Sequence, residues 1–237
     1  MVVESEFVHP LLRGRDVERW SSNPIYNILL PQDANQPSKA YPTNRLEVEF
    51  PKTFAFLKHF EEVLKARSGY KQFFDPSCDP FYSIYNVGDY TYGKYKVLWR
   101  EVATDVRSAV VETSGDASKV TVPDHTLVCV STKSSEEAHF VCALLNSSPA
   151  DYIVRSYIAG HPSTNVLKYV AVPKFDEDTD VHSQLADCSQ QAHAATAAGD
   201  TARVQEIEAE IDQLAKQLWG LTDAELREIQ ESLAELA

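Results

Sequence analysis

Three segments in the middle of the chain read Tyr95-Lys96-Val97-Leu98-Trp99-Arg100-Glu101, Ser108-Ala109-Val110-Val111-Glu112 and Thr126-Leu127-Val128-Cys129-Val130-Ser131. Aromatic and β-branched residues dominate these segments, and such residues favour strands because they fit a pleated, half-buried surface. Turn residues separate the segments, for example Gly93 and Ser114-Gly115-Asp116. The sequence therefore predicts a mixed sheet at the centre of the fold.

Helices and further strands are expected on both sides of this sheet. Residues 51–67 place apolar side chains at helical spacing beside charged ones, which predicts an amphipathic helix. Residues 134–145 predict a second helix, and Ser148-Pro149 supplies an N-cap and a first-turn proline for a third that ends near Ile158. Two short strands complete the body, a buried one at 26–31 and another at 169–172.

Beyond Phe175 the composition shifts to Asp, Ala, Gln and Glu, and the pattern becomes helical. Apolar residues then recur at alternating spacings of three and four, which predicts one long helix with an apolar stripe: Val204, Ile207, Ile211, Leu214 and Leu218. Gly220 should end this helix, and Thr222 with Glu225 forms a capping box for a last one. The stripes need a partner surface, which is either the body of the same chain or another chain.

These patterns indicate the α+β class, with a mixed-sheet body, packed helices and a C-terminal helical hairpin or coiled-coil-like tail. We expect three segments: an entry segment over 1–24, a body over 25–175 and an acidic helical tail over 176–237. No apolar run approaches the roughly 20 residues that cross a bilayer, so we expect a cytoplasmic protein that does not enter membranes. The four cysteines are widely spaced and are expected to be reduced.

The net charge of −13 argues at first against nucleic acid, since phosphate binding usually leaves a basic surface. The charge is unevenly distributed, however. Residues 1–175 contain 19 basic and 20 acidic residues, whereas residues 176–237 contain 3 basic and 15 acidic ones. A nearly neutral body can still present a basic face, and DNA would repel the tail.

Motifs for catalysis are missing from the sequence. No two glycines form the Gly-x-Gly turn of a cofactor loop, and no Asp/Glu-x-Lys of a nuclease or Gly-x-Ser-x-Gly of a hydrolase occurs. Asn23-Pro24-Ile25-Tyr26 and Asp79-Pro80-Phe81-Tyr82 imitate the catalytic motif of adenine methyltransferases but lack its second proline, so both are interpreted as turns. We expect no catalytic residue and no metal site in this chain.

Two regions have the residue types of a DNA-binding surface. Residues 85–100 interleave aromatic and cationic side chains, and we expect Lys94, Lys96 and Arg100 to contact phosphates, with Tyr92 nearby. The spacing fits equally well a tyrosine-rich sheet whose faces alternate between core and solvent. The second region offers polar side chains on a loop, and its candidate residues are Arg155, Ser163, Thr164, Asn165 and Lys168, of which Ser163, Thr164 and Asn165 are expected to read base edges.

Six segments in order along the chain resemble one family, the adenine-specific N6 DNA methyltransferases of type II restriction–modification and related phage-defence systems. The similarity is to their C-terminal target-recognition region, of TaqI-like specificity, and it involves 10–20, 82–88, 95–100, 137–147, 168–175 and 218–222.

The resemblance implies that this chain grips double-stranded DNA and reads its target sequence, while a methyltransferase domain takes the flipped adenine. That catalytic domain is missing from this sequence, and S-adenosylmethionine would bind there, so the chain is expected to be no enzyme by itself. The methyltransferase domain would be a partner in the same polypeptide or as a separate chain. A protein-interaction module or free specificity subunit that docks or self-associates through its helical tail is the alternative.

Overall fold

The computed structural model describes residues 2–33, 35–113, 119–157 and 168–236. The chain forms two compact units and passes between them several times. Unit 1 comprises Met1–Leu11, Ile25–Gly93 and Thr113–Val122, and unit 2 comprises Leu12–Pro24, Lys94–Glu112 and Pro123–Ala237. Helices and several small sheets make up both units, which confirms the α+β class.

Unit 1 combines short strands with a run of short helices. Strand β1 (Val8–Leu12), whose last residue belongs to unit 2, pairs antiparallel with β4 (Tyr26–Leu29). The other elements are β5 (Gln32–Asp33), β6 (Gln36–Ala40), α1 (Thr43–Glu49), α2 (Pro51–His59), α3 (Glu61–Ala66), α4 (Ser68–Phe73) and α5 (Asp89–Tyr92).

Two expectations for unit 1 are wrong in detail. The single helix predicted over 51–67 is divided at Phe60, whose backbone N–H bonds to the Leu57 carbonyl at 3.0 Å in a tightened turn. The strand predicted as buried at 26–31 is β4, which is an edge strand of a three-stranded sheet. Its side chains are exposed or half-buried, and Tyr26 is 50% exposed.

The main sheet belongs to unit 2. Strand β7 (Tyr95–Arg100) lies between β8 (Ser108–Glu112) and β10 (Leu127–Thr132), and it pairs antiparallel with both. Both faces of β7 are buried. Val97 and Trp99 point into the large helical core, while Leu98 points into a smaller core that Leu12 and Val17 cover. Minor strands of this part of the fold are β2 (Val17–Glu18) and β3 (Ser21–Ser22). Strand β9 (Val122–Pro123), whose first residue belongs to unit 1, is the third strand of the sheet that contains β1 and β4.

Two helices follow the sheet directly. Helix α6 (Ser135–Asn146) begins after Ser134, whose hydroxyl accepts from the Glu137 N–H at 3.1 Å, and α7 (Ser148–Tyr157) comes next. The strand predicted over 169–172 is absent. Its backbone groups form other hydrogen bonds in place of strand pairing. The Val172 N–H donates to the Val170 carbonyl, and the Trp219 indole donates to the Ala171 carbonyl at 2.9 Å.

The C-terminal helices are α8 (Asp180–Ala198), α9 (Thr201–Trp219) and α10 (Asp223–Glu235). Gly199 and Gly220 end the first two in left-handed backbone at φ 73° and 68°, where glycine carries no steric penalty. The apolar stripe of α9 is buried against α6 and α8 in the core of unit 2. The stripe of α9 is thus covered by helices of the same chain, whereas Leu236 at the end of the last helix is 63% exposed.

Residues far apart in the sequence meet in unit 2. The Trp20 indole donates to Glu208 on α9 at 2.8 Å, and Arg19 forms an ion pair with the same carboxylate at 2.6 Å. Helix α9 of the tail thus holds the segment Leu12–Pro24 in place. The tail and the main sheet belong to the same unit.

The outer edge of β8 is covered by side chains instead of another strand. The Asn146 amide accepts from the Ser108 N–H and donates to the Ser108 carbonyl, both at 2.9 Å. His193 on α8 accepts from the Val110 N–H at 3.0 Å. Unpaired strand edges invite pairing with other chains, and these two side chains occupy the edge.

His139 and His193 form a buried pair behind this edge, with ring centroids 5.1 Å apart. His139 lies 2.9 Å from the Ser189 hydroxyl, and Glu112 and Trp20 also face the pair. Burial lowers the pKa of His139 to about 4 and also lowers the pKa of His193. Both rings are therefore neutral in the fold at neutral pH.

Acid should consequently destabilise unit 2. When pH falls from 6.5 towards 4, the two histidines become protonated in the unfolded chain but stay neutral in the folded one. Protons therefore bind preferentially to the unfolded state, and the free energy of unfolding decreases. We expect His139→Gln to flatten this decrease in urea titrations at several pH values, whereas His125→Gln, at an exposed position, should leave it unchanged. An unaltered pH profile in the His139 variant would contradict this account.

All four cysteines are free thiols, and Cys142 and Cys188 are buried while Cys78 is exposed. Within the described ranges, none of the helices combines the length and the apolar character needed to traverse a bilayer.

Candidate nucleic-acid interface

Lys96 is enclosed by the main sheet. It lies on the same face of β7 as Leu98, and none of its surface is exposed. Burial lowers the pKa of its ammonium group to about 8. The predicted phosphate contact of Lys96 does not fit this structure, because the segment that begins at Leu12 covers that face of the sheet.

Arg100 lies at the end of the same face and holds the covering segment in place. Its guanidinium donates to the carbonyls of Gly14 at 2.8 Å and Val17 at 3.0 Å, and it forms an ion pair with Glu18. These bonds engage Nε and Nη2, two of the three guanidinium nitrogens, within the fold. The structure therefore gives Arg100 an internal role.

Tyr92 and Lys94 are close in sequence but belong to different units. Tyr92 is half-buried in unit 1. Lys94 is exposed, with its ammonium 4.7 Å from the centre of the Tyr95 ring. Of the four residues predicted in this region, Lys94 has the exposure that a phosphate contact requires.

The second predicted region lies at the C-terminal end of α7. Arg155 is tied to Asp151 at 2.9 Å and lies 3.9 Å from Asp105. Lys168 is exposed, and its ammonium lies 5.2 Å from the centre of the Tyr169 ring. Ser163, Thr164 and Asn165 fall outside the described residues.

A stacked pair of tyrosines, not singled out from the sequence, lies beside Lys168. The rings of Tyr157 and Tyr169 are nearly parallel, at 12°, with centroids 4.6 Å apart. They are 58% and 51% exposed, respectively. We call Tyr157, Lys168 and Tyr169 the tyrosine platform.

The tyrosine platform has the chemistry of a nucleic-acid contact. Exposed aromatic faces can stack on bases, and a neighbouring ammonium can neutralise a phosphate. In the sequence one tyrosine precedes and one follows the predicted polar loop over 159–166, and no local pattern indicates that the two rings touch.

Helix α7, which contains Tyr157, is anchored at its other end by the tail. The buried Asp212 carboxylate on α9 accepts from the Ser148 N–H at 2.7 Å and from the Ser148 hydroxyl at 2.6 Å. Gln230 on α10 donates to the same carboxylate at 2.8 Å. Hydrogen bonds to the free N–H groups at the start of a helix stabilise that helix. The tail therefore fixes the start of the helix that carries Tyr157.

A second anchor lies along α7. Asp151 accepts from the Val106 N–H at 3.1 Å and pairs with Arg155, and burial raises the pKa of its carboxyl. Arg155 thus orients a buried acid. Across the described parts of the chain, no group of three or more His, Cys, Asp and Glu side chains is arranged to hold a metal ion.

No family model matches this sequence, and no curated protein matches it. A solved structure is similar in fold, that of the Type IIL restriction-modification enzyme MmeI in complex with DNA. The TM-score is 0.60 at 12% sequence identity, and the match covers 97% of this chain and 31% of that enzyme. Nearly all of this chain therefore has the fold of about a third of a restriction–modification enzyme.

Proposed function

We propose that this chain is the DNA target-recognition part of an adenine-N6 DNA methyltransferase in a restriction–modification system. The observation that carries the proposal is the fold similarity to MmeI, an enzyme whose structure was solved with DNA. The chain corresponds to 31% of that protein, so the remaining functions of the enzyme would lie in other domains.

The tyrosine platform is the surface that best fits DNA in unit 2. It joins two exposed aromatic rings to an exposed ammonium. It also flanks residues 158–167, which contain the candidate base readers Ser163, Thr164 and Asn165. In this proposal Lys168 and Lys94 contact phosphates, the tyrosines stack on exposed bases or sugars, and the polar segment reads base edges.

Several parts of the proposal concern the whole enzyme. S-adenosylmethionine and the catalytic residues would belong to a methyltransferase domain, either in the same polypeptide or in a separate chain. The cellular setting would be the cytoplasm, where phage-defence enzymes meet DNA. The acidic tail would not contact the DNA itself, because its 15 acidic residues outnumber its 3 basic ones and repel phosphates.

A low-salt titration of this chain with random duplex DNA, alone and with a separately expressed methyltransferase domain, tests DNA binding. We expect affinity to fall as salt rises, because bound phosphates release counterions. Lys168→Gln should lower the slope of log affinity against log salt by about one. Arg227→Gln removes the same charge from an exposed position on the acidic tail, and it should not change the slope.

Three results would count against DNA binding through the tyrosine platform. The first is no binding in either form, which would favour a protein-interaction module. The second is affinity that does not respond to salt. The third is an equal effect of the Lys168 and Arg227 substitutions, which would mean that the net charge of the chain decides binding.

A further inference from the structure

A cavity of about 380 Å³ lies within unit 1, and five of the eleven described residues that line it are aromatic. Phe7, Tyr41 and Phe50 line it together, with ring centroids 4.8 to 5.7 Å apart and steeply inclined planes. Tyr92 and His9 also line it, edge to face at 6.4 Å. Ligand cavities usually measure about 300–1,000 Å³, so this space suits a small organic molecule.

The charges in this cavity are negative. Glu6 and Asp33 contribute carboxylates, and the lining, as far as the structure describes it, contains no lysine or arginine. The pKa of Tyr92 is raised to about 12, mainly by burial and further by the negative charge of Asp33. These two carboxylates favour a cation over an anion in the cavity.

Gln32 adds a hydrogen-bond acceptor to the same lining. It is only 3% exposed, and its amide nitrogen donates to the Pro37 carbonyl at 3.2 Å. Its side-chain oxygen is buried without a hydrogen-bond partner. A buried acceptor without a donor costs free energy, and a ligand with an N–H or O–H group offers the donor that this oxygen lacks.

We propose that this cavity binds a small organic cation, an alkylammonium or methylammonium group held against the aromatic rings and balanced by Asp33 and Glu6. Cations within about 6 Å of an aromatic ring centre are attracted to its face. Tyr41 already contacts one cation in this way, the Arg45 guanidinium at 4.8 Å, whose charge Glu49 balances at 2.8 Å. The site does not depend on the proposed DNA binding.

Titration of the chain with choline, followed by calorimetry and ligand-observed NMR, tests the site. We expect saturable binding with a Kd below about 1 mM. The uncharged isostere 3,3-dimethylbutanol should bind at least about 10-fold more weakly, because it lacks the charge that the rings and carboxylates attract. No DNA is present, so the result is independent of target recognition.

Two variants locate the cation. Asp33→Asn keeps an oxygen for the Asn35 N–H, which Asp33 accepts at 2.9 Å, and should weaken choline binding about 5-fold. Tyr92→Ala should weaken it by a similar factor through loss of a ring. Asp79→Asn and Tyr85→Ala are matched changes in unit 1 at residues that do not line this cavity, and they should have no effect.

The proposal is overturned if choline does not saturate the chain or if choline and its isostere bind equally. Equal loss of binding in the matched variants would also overturn it. Adenosine serves as a comparison ligand, and preferred binding of this neutral heterocycle over choline would replace the cation site by a stacking site.

Discussion

Replacing both Tyr157 and Tyr169 by alanine should weaken DNA binding about 100-fold. Stacking of an unpaired or flipped base on an aromatic side chain contributes about 1–3 kcal/mol, and the double change removes both exposed rings of the tyrosine platform. Fluorescence anisotropy with a labelled duplex measures the effect. Because both side chains are more than half exposed, the thermal midpoint of unfolding should change little.

The matched control keeps the rings and removes only the hydroxyls, as Tyr157→Phe with Tyr169→Phe. This variant should bind nearly as well as the unchanged chain, since stacking depends on the ring faces. Wild-type affinity in the alanine variant would exclude the platform from the interface. Stacking tolerates any sequence, so the loss should be similar for all duplexes, unlike the loss of a base reader, which costs affinity at the preferred site.

Asn146→Ala should lower the free energy of unfolding by about 2–4 kcal/mol. The side chain is 1% exposed and makes two hydrogen bonds to the backbone of Ser108. The Ser108 carbonyl keeps the Trp20 N–H at 3.1 Å, but the Ser108 N–H would be left buried without an acceptor. An orphaned buried group costs about 1–3 kcal/mol, and the cavity adds to that cost.

Urea denaturation measures this change. Asn44→Ala provides the control, because Asn44 is exposed on α1 and the same truncation there removes no buried bond. A loss below about 1 kcal/mol in the Asn146 variant would show that water or a shifted backbone replaces the amide at the edge of β8.

The strands of the main sheet could be predicted closely from composition. Residues 95–101, 108–112 and 126–131 were expected, and the structure has Tyr95–Arg100, Ser108–Glu112 and Leu127–Thr132. Alternation along β7 showed that two faces exist but not which would be covered. The covering segment begins at Leu12, more than 80 residues before Lys96, and such a long-range contact leaves no local signal.

Two capping signals were confirmed, because they depend on neighbouring residues alone, whereas the N-cap expected at Ser148 is displaced by one residue: α7 begins with Ser148, and the Ser147 hydroxyl accepts from the Ala150 N–H at 3.4 Å. Ser134 begins α6, and Thr222 with Glu225 begins α10 through the expected reciprocal bonds. The strand expected over 169–172 does not form, and the carbonyl of Ala171 in this segment accepts a hydrogen bond from the Trp219 indole of α9. Propensity describes a residue in isolation, and this bond depends on the tertiary fold.

The candidate interface was less predictable than the fold. Exposure decides whether a cation can reach a phosphate, and it separates Lys94 and Lys168 from Lys96 and Arg100. The contact between Tyr157 and Tyr169 depends on the tertiary fold, which brings the residues before and after 158–167 together. The polar and cationic residues near the end of α7 are visible in the sequence, but the stacking of Tyr157 on Tyr169 is not.

The bond between Trp20 and Glu208 has a consequence for synthesis of this protein. The two residues are 188 positions apart, and ribosomes add about 5–20 residues per second. Roughly 10–40 s therefore pass between synthesis of Trp20 and synthesis of Glu208. During this time the Trp20 side chain, which is only 2% exposed in the folded protein, lacks this partner and is accessible to chaperones and proteases. A nascent chain that stalls before α9 emerges would lack this partner, so quality control could recognise it by this N-terminal segment.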